Sequence, residues 1–157
     1  MDRSGRICGV QRSGGGVPKL AVASAELTTT GLAGDVQSNR KYHGGPERAL
    51  CLFSAEVIAA LQAQGHPISA GAAGENLTIA GLEWVALMPG TTLRVGAQAV
   101  IQIASYTTPC SKIAGCFQDR DPRRVSQDLH PGWSRLYARV LTVGTVAIGD
   151  AVTVVMD

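Results

Sequence analysis

The chain has 157 residues, of which 45% are hydrophobic, and this is the usual size of one domain with a buried core. Its net charge of +2 and its pI near 8.4 are too small to indicate nucleic-acid binding through overall charge. No segment approaches the roughly 18 apolar residues that cross a bilayer, and the N-terminus lacks the apolar core of a signal peptide. We therefore expect a cytoplasmic protein with neither a membrane nor a nucleic-acid partner.

The spacing of glycines favours short strands over long helices. The sequence contains 19 glycines, only 4% of its residues are aromatic, and glycine turns separate short runs of Val, Ile, Leu and Thr. Strands are predicted within residues 6–12, 19–28, 49–53, 77–82, 84–103 and 135–155. The prediction is one mainly β domain spanning residues 1–157, with a barrel-like mixed or antiparallel sheet and a few short helices.

Two short helices have recognisable start signals. Ser54 is a suitable N-cap, since its hydroxyl can accept a hydrogen bond from a backbone N–H of the first turn. Gly65 has the position of a C′ residue that ends a helix. The apolar face between them is predicted to hold Val57, Ile58 and Leu61. A second short helix is predicted within residues 121–130, with Asp121 as N-cap and Pro122 in the first helical position.

Cys110 lies where the apolar run of residues 100–104 leaves the sheet and enters a loop. A rigid strand end can direct a thiol into a cleft, and loops on a rigid scaffold commonly hold functional residues. Pro109 restricts the approach to the cysteine, and Lys112 would stabilise a thiolate, which is the form that attacks sulfur or binds a soft metal. The residues alone leave a second interpretation open, in which Cys110 is a small buried hydrophobic residue.

The other three cysteines have less promising surroundings. Without a CxxC pair, and in a reducing compartment, neither a disulfide framework nor a structural zinc site is expected. Cys8 and Cys51 lie inside predicted strands and are assigned to the core. Cys116 is also assigned to the core, and the alternative is a role as the resolving thiol of an oxidised or persulfidated Cys110.

A glycine-rich turn with basic neighbours is a second candidate site. Arg40, His43 and Arg48 flank a Gly-Gly-Pro turn and would bind a phosphate or a carboxylate. An ordinary turn with surface charges explains the same pattern equally well. The other two histidines, His66 and His130, precede prolines in polar loops and are expected at the surface.

The adjacent pair Glu75 and Asn76 is the third candidate. A carboxylate and an amide side by side present both donors and acceptors to the edge of a heterocycle. The alternative is a polar turn in which Asn76 satisfies nearby backbone groups.

Taken together, these segments resemble the MOSC family, named for the C-terminal domain of molybdenum-cofactor sulfurases. The matching phrases follow the family's order and extend over nearly the whole chain: Pro18–Lys19, Gly31–Asp35, His43–Leu50, Gly74–Leu77, Pro109–Cys110 with Lys112, and Tyr137–Leu141 followed by Gly149–Asp150. The resemblance implies a strand-rich, barrel-like fold. It also implies an association with molybdenum cofactor, or with sulfur destined for metal–sulfur centres.

The same resemblance implies roles for individual residues. Cys110 would bind the metal or hold a sulfur atom as a persulfide. Relatives often have an arginine three residues before this cysteine, where this chain has Thr107, so one anion contact is expected to be missing. The pocket for the anionic pterin would be lined by Arg40, His43, Arg48 and Lys112, with Glu75 and Asn76 shaping its wall or contacting the pterin.

Three functions are compatible with the resemblance. The first is a molybdenum-cofactor enzyme that reduces N-hydroxylated compounds with electrons from a partner protein. The second is a sulfur carrier that accepts sulfur from a donor and passes it to a metal centre, as in cofactor sulfuration. The third is a non-catalytic module that binds and delivers the cofactor. Pyridoxal phosphate is not expected on this chain alone, because 157 residues cannot include a sulfurase domain as well.

Overall fold

The computed structural model describes residues 3–35 and 46–155. Its strands are β1 (Ser4–Arg12), β2 (Leu20–Val22), β3 (Ser24–Thr28), β4 (Gly31–Leu32), β5 (Leu50–Ser54), β6 (Leu77–Ala80), β7 (Thr92–Val95), β8 (Ala99–Tyr106), β9 (Leu136–Thr142), β10 (Gly144–Ala147) and β11 (Ala151–Val154). The helical elements are α1 (Ala55–Ala63) and the 3₁₀ helices Pro46–Arg48, Trp84–Ala86, Ser111–Cys116 and Pro122–Val125. The mainly β class with few helices is confirmed.

Within the described residues, seven strands close into a barrel in the order β1, β6, β5, β9, β8, β7 and β11, and β11 pairs again with β1. β5 and β6 run parallel, whereas the other neighbouring pairs of the barrel are antiparallel. β2 pairs with β1 at its far end, and β10, β3 and β4 form a separate antiparallel sheet. The predicted barrel-like mixed sheet is therefore confirmed.

The barrel strands divide their side chains between an interior core and an outer face, because successive residues of a strand point to opposite sides. Leu50 and Leu52 of β5 and Leu136 of β9 belong to the apolar cluster inside the barrel. Cys51 and Tyr137 alternate with these residues and are paired opposite each other in the β5–β9 register. Both side chains therefore lie on the outer face of the same two strands.

Helix α1 begins and ends as the sequence predicts. The backbone N–H of Val57 donates to Ser54 Oγ at 3.1 Å, and Gly65 follows the helix with a φ of 95°. The predicted apolar face is buried in a second cluster outside the barrel, together with Phe53 and Phe117. The hydroxyl cap and the glycine stop act within one or two turns of the helix, so local sequence suffices to predict them.

The second predicted helix is shorter than expected. Only Pro122–Val125 is helical, as a 3₁₀ turn, and Asp121 Oδ1 accepts a hydrogen bond from the backbone N–H of Arg123 at 3.0 Å. No helix in the described segments is both long enough and apolar enough to cross a membrane.

Two placements predicted from local sequence are wrong. Cys8 is exposed and lies at an irregularity in the β1–β6 pairing, where a bulge breaks the inward–outward alternation. His66 is buried: its ring packs edge-on against Phe117 with the ring centres 5.5 Å apart, and its Nδ1 accepts a hydrogen bond from Gln118 N at 3.1 Å. Both outcomes depend on partners that are distant in the sequence.

Replacement of Ser54 tests its role as the N-cap of α1. We expect Ser54→Ala to lower the free energy of unfolding by about 1 kcal/mol, because the N–H of Val57 loses its acceptor in buried surroundings. Urea denaturation followed by circular dichroism measures the change. Ser24→Ala, at an exposed position of β3, is the control and should change it by no more than about 0.5 kcal/mol. Equal effects of the two substitutions would contradict the capping role.

Candidate functional site

A cleft opens on the outer face of the barrel beside β5 and β9. It encloses about 540 Å³, counting its open mouth, and Cys51 and Tyr137 line it from these two strands. Three loops, at residues 16–19, 73–76 and 110–113, contribute the other main parts of its lining. The cleft is concave and combines apolar side chains with a few polar and charged ones, which is typical of a small-molecule site.

Cys110 reaches this cleft from the loop that follows β8. Its carbonyl oxygen accepts a hydrogen bond from Ile113 N at 3.2 Å, which ties it to the start of a 3₁₀ helix. The N–H of Thr107 donates to the carbonyl oxygen of Arg135 at 3.0 Å and holds the beginning of the loop against the next strand. Cys110 is partly exposed and lines the cleft together with Lys112.

The other cysteines are either enclosed or outside the cleft. Cys51 lines the cleft but is only 8% exposed, and burial raises the pKa of its thiol. Burial also raises the pKa of the Cys116 thiol to about 11. The predicted burial of Cys51 and Cys116 is confirmed, although Cys51 also lines the cleft, and both thiols remain protonated at neutral pH. Exposed Cys8 does not line the cleft, so Cys110 is the thiol that is both partly exposed and in the cleft.

A buried carboxylate fixes one edge of the cleft. Lys19 Nζ donates to Asp35 Oδ1 at 2.6 Å, and the two side chains are only 6% and 2% exposed. Ser13 N donates to the same oxygen at 3.0 Å, and Asn76 Nδ2 donates to Asp35 Oδ2 at 2.9 Å. These extra hydrogen bonds help to offset the cost of removing both charges from water. Asp35 thereby neutralises Lys19 and holds it in place.

Asn76 forms part of the cleft wall with its amide fully engaged. Its Oδ1 accepts from Cys51 N at 3.0 Å, and its Nδ2 donates to Gln11 O at 3.3 Å as well as to Asp35. Its backbone N–H donates to Cys51 O at 2.7 Å, and its carbonyl oxygen accepts from Gln11 N at 2.8 Å. Asn76 therefore joins β1 and β5 beside the cleft, and its amide has no N–H left to offer a ligand.

Gly71 allows two of the cleft-forming loops to meet. Its carbonyl oxygen accepts a hydrogen bond from Lys19 N at 2.9 Å. Its φ is 85°, and a Cβ at this position would lie 2.3 Å from the carbonyl oxygen of Lys19. Any larger residue would therefore be strained in its backbone and would collide with the neighbouring loop.

Glu75 is fully buried and is not among the residues that line the cleft. Its Oε2 accepts a hydrogen bond from Thr78 Oγ1 at 3.2 Å, while its Oε1 has no hydrogen-bond partner in the described part of the chain. Burial raises the pKa of this carboxyl, although hydrogen bonds from the Gly71 backbone and from Thr78 oppose the shift. Its predicted contact with a cofactor stays a prediction.

Like Lys19 and Tyr137, Arg135 lines the cleft although no site role is predicted for it from the sequence. Its side chain is 3% exposed, lines the cleft and donates from Nη1 to Ala73 O at 2.8 Å. A guanidinium therefore lies in the cleft even though position 107 is a threonine. The only sequence signal is an arginine immediately before the apolar strand β9, and this pattern is also common at exposed strand ends.

The structure brings four of the predicted site residues to one cleft. The guanidinium carbon of Arg48 lies 5.4 Å from the ring centre of Tyr137, a distance typical of a cation–π contact. Burial raises the pKa of Tyr137, so its hydroxyl is neutral. Arg40 and His43 lie outside the described residues. The four residues are Arg48, Asn76, Cys110 and Lys112.

A closed mixed barrel with a basic, thiol-containing cleft on its outer face defines the structural class, and comparison with known proteins gives the family. A family model described as the MOSC domain matches residues 39–153. The chain is 34% identical over 136 residues to the uncharacterized protein YflK of Bacillus subtilis (strain 168). It is 36% identical over 126 residues to the protein YiiM of Escherichia coli (strain K12). The chain belongs to the MOSC family, as the sequence resemblance predicts.

The relatives are longer than this chain. The two alignments cover 85% and 77% of this chain, but only 60% of YflK and 54% of YiiM. The crystal structure of YiiM from Geobacillus stearothermophilus superimposes with a TM-score of 0.71 at 26% identity, covering 97% of this chain and 73% of that one. A crystal structure of a hypothetical protein gives a TM-score of 0.78 at 28% identity, covering 99% and 70% of the two chains.

Removal of the buried carboxylate tests the edge of the cleft. We expect Asp35→Ala to lower the free energy of unfolding by about 3–5 kcal/mol, because Lys19 is left as an unpaired buried charge. Chemical denaturation measures the loss. Glu47→Ala, which breaks an exposed ion pair with Arg139, is the control and should have a much smaller effect. A loss no larger than that of the control would show that the Lys19–Asp35 pair does not hold the edge together.

The raised pKa of Glu75 predicts a pH dependence of stability. The folded carboxyl keeps its proton to a higher pH than the unfolded one, whose ordinary value is 4.5. The folded state therefore binds more protons between that value and the folded pKa, and the contribution of Glu75 to stability falls as the pH rises through this interval. Glu75→Gln cannot ionise and avoids this loss.

The stability of Glu75→Gln relative to the wild type should therefore increase with pH above about 4.5 and be constant below it. Urea denaturation between about pH 4 and pH 8 measures the two curves. Glu26→Gln, at an exposed position of β3, controls for the loss of one negative charge and should follow the wild-type curve. A difference between Glu75→Gln and the wild type that does not vary with pH would refute the prediction.

Proposed function

We propose that the chain binds molybdenum cofactor in this cleft, with the Cys110 thiolate as a ligand of the metal. The main support for this proposal is that Cys110 is a partly exposed thiol in a cleft that is also lined by Lys19, Arg48, Lys112 and Arg135. MOSC domains are generally linked to this cofactor, and the chain belongs to that family.

The donor set of the cleft fits an anionic group that contains a soft metal. Thiolate sulfur is a soft ligand, whereas lysine and arginine side chains favour phosphate and carboxylate groups. The positive charge of Lys19 is already balanced by Asp35. Arg135 is buried, and none of the described carboxylates forms an ion pair with it. An anionic ligand would supply this missing countercharge.

Different residues of the cleft would bind the metal and the anionic part of the cofactor. Cys110 must give up its proton to become a metal ligand, and metal binding releases that proton to solvent. Lys112, two residues away and in the same cleft, would stabilise the resulting thiolate. Arg48 beside the Tyr137 ring would face the anionic part of the pterin, and Arg40 and His43 remain predicted contributors. When bound, the cofactor would supply two-electron redox chemistry at molybdenum.

The reaction that we propose for the cofactor-loaded protein is the reduction of N-hydroxylated compounds. Such a reduction consumes two electrons, and a partner protein would deliver them to the bound cofactor. A cofactor-binding or delivery module without turnover would use the same residues but would need no electron donor. Electron transfer from a reduced partner to the loaded protein, with and without an N-hydroxylated substrate, separates the two possibilities.

The same thiol is suited to a second role as a sulfur carrier. Cys110 is the partly exposed thiol of the cleft, which is the placement that a sulfur carrier would need. The thiolate would attack the outer sulfur of the donor, the donor's S–S bond would break, and the donor would leave as a thiolate. Cys110 would then hold the persulfide for transfer to a partner's metal centre.

One purification distinguishes these roles. The protein is isolated from cells that make molybdenum cofactor, and its molybdenum, its pterin and its intact mass are measured together. We expect Cys110→Ala to lower the bound molybdenum by about tenfold or more, because a direct ligand is lost. Cys8→Ala removes an exposed thiol outside the cleft and should retain the wild-type content.

The other outcomes are equally informative. A mass increase of one sulfur atom that is removed by reductant and absent from Cys110→Ala supports the sulfur carrier instead. Absence of molybdenum, pterin and persulfide from the wild-type protein would refute the proposed site.

A further inference from the structure

Arg135 occupies an unusual position between the two walls of the cleft. Its Nη1 donates to Ala73 O at 2.8 Å, in the glycine-rich loop before β6. Its Nη2 lies 3.5 Å from Thr108 O, in the loop two residues before Cys110. The guanidinium therefore connects the loop that holds the thiol to the opposite wall while it lines the cleft itself.

The charge of this side chain is enclosed without a countercharge. Arg135 is 3% exposed, and no carboxylate in residues 3–35 and 46–155 forms an ion pair with it. Its Nε is buried and has no hydrogen-bond acceptor among the described residues. Carbonyl oxygens satisfy two of its five N–H groups at most, and they do not neutralise its charge. Burial of a charge in this state is costly unless an anion pairs with it.

The buried carboxyl of Glu75 does not supply this countercharge. Glu75 feels the charge of Arg135, but it forms no ion pair with it, and burial raises the pKa of its carboxyl. Lys19 is different, since Asp35 lies 2.6 Å from its ammonium nitrogen. Of these two buried cations that line the cleft, Arg135 is the one whose charge remains available to a ligand.

We propose that Arg135 is the anion-binding residue of the cleft and that its ligand is a phosphate ester or a chemically similar oxyanion. The inference rests on the proposed function, in which this anion is the phosphate of the bound pterin cofactor. In a low-dielectric wall the enclosed charge attracts an anion more strongly than an exposed arginine does. Because Arg135 also holds the loop before Cys110, it places the anion site and the thiol in one cleft.

The first experiment uses inorganic phosphate and cofactor-free protein from cells that cannot make the cofactor. Calorimetric titration at low ionic strength gives the dissociation constant. We expect saturable binding by the wild type and about tenfold or more weaker binding by Arg135→Gln, because a charged hydrogen-bond donor is lost. Arg94→Gln is the matched control: it removes the same charge from an exposed position on β7, outside the cleft, and should bind as the wild type does.

Two results would overturn the inference: no saturable phosphate binding by the wild type, or equal affinity in the wild type and in Arg135→Gln. If Arg135→Gln does not fold, the wild type still provides a test. The Nε–H resonance of Arg135, identified by its loss in Arg135→Lys, should shift saturably with phosphate in a nitrogen–proton correlation spectrum. A resonance that does not move up to saturating phosphate overturns the inference.

A second arm identifies the source of the phosphate. Arg135→Gln and Arg94→Gln are purified from cofactor-producing cells, and their bound pterin is measured. Pterin lost only from Arg135→Gln assigns the anion to the cofactor. Pterin retained by a variant that no longer binds phosphate supports the anion site but assigns it to a different phosphate compound. The phosphate titration involves neither molybdenum nor Cys110. Failure of the anion-site proposal can therefore be distinguished from failure of the proposed molybdenum binding.

Discussion

The buried carboxylate of Asp35 is the constraint on which the cleft depends. It accepts hydrogen bonds from the ammonium group of Lys19, the side-chain amide of Asn76 and the backbone N–H of Ser13. These three donors come from the loop after β1 and from the residue before β6. A carboxylate removed from water is stable only when its lone pairs are satisfied. The loop after β1, the residue before β6 and Asp35 itself therefore have little freedom to separate. Asn76 extends the same constraint to β5 through its two hydrogen bonds with Cys51.

The barrel builds its core and its candidate site from the same strands. On β5 and β9 the inward residues fill the apolar interior, and the alternate residues Cys51 and Tyr137 line the cleft. A shift of register by one residue would therefore exchange core and cleft side chains. This coupling explains how the barrel itself positions the residues of the candidate site on its outer face. The interior packing keeps the strands in register, and the register places the outer residues.

The sequence was most informative where the physical cause is local. The Ser54 cap and the position of Cys110 after a strand both depend on neighbours within a few residues, and the structure has them where the sequence predicts. The prediction of a buried Cys8 is wrong because a bulge in the pairing of β1 with β6 decides its exposure. No local pattern predicts the buried Arg135, because its hydrogen-bond acceptors, the carbonyl oxygens of Ala73 and Thr108, are distant in the sequence. Of the predicted basic cluster, Arg48 lies within the described residues and lines the cleft, whereas the roles of Arg40 and His43 stay predictions.

The closure of the barrel has a consequence for how the chain reaches this structure. Ser4 of β1 pairs with Thr153 of β11, so the contact that completes the barrel joins segments almost the whole described chain apart. During synthesis on the ribosome, β1 and β7 would expose unpaired edges until β11 has emerged. Long-range pairings of this kind make folding slow, because the entropy of a large loop must be lost before they form. The nascent chain is thus exposed to edge-to-edge association for longer than a helical bundle of the same size.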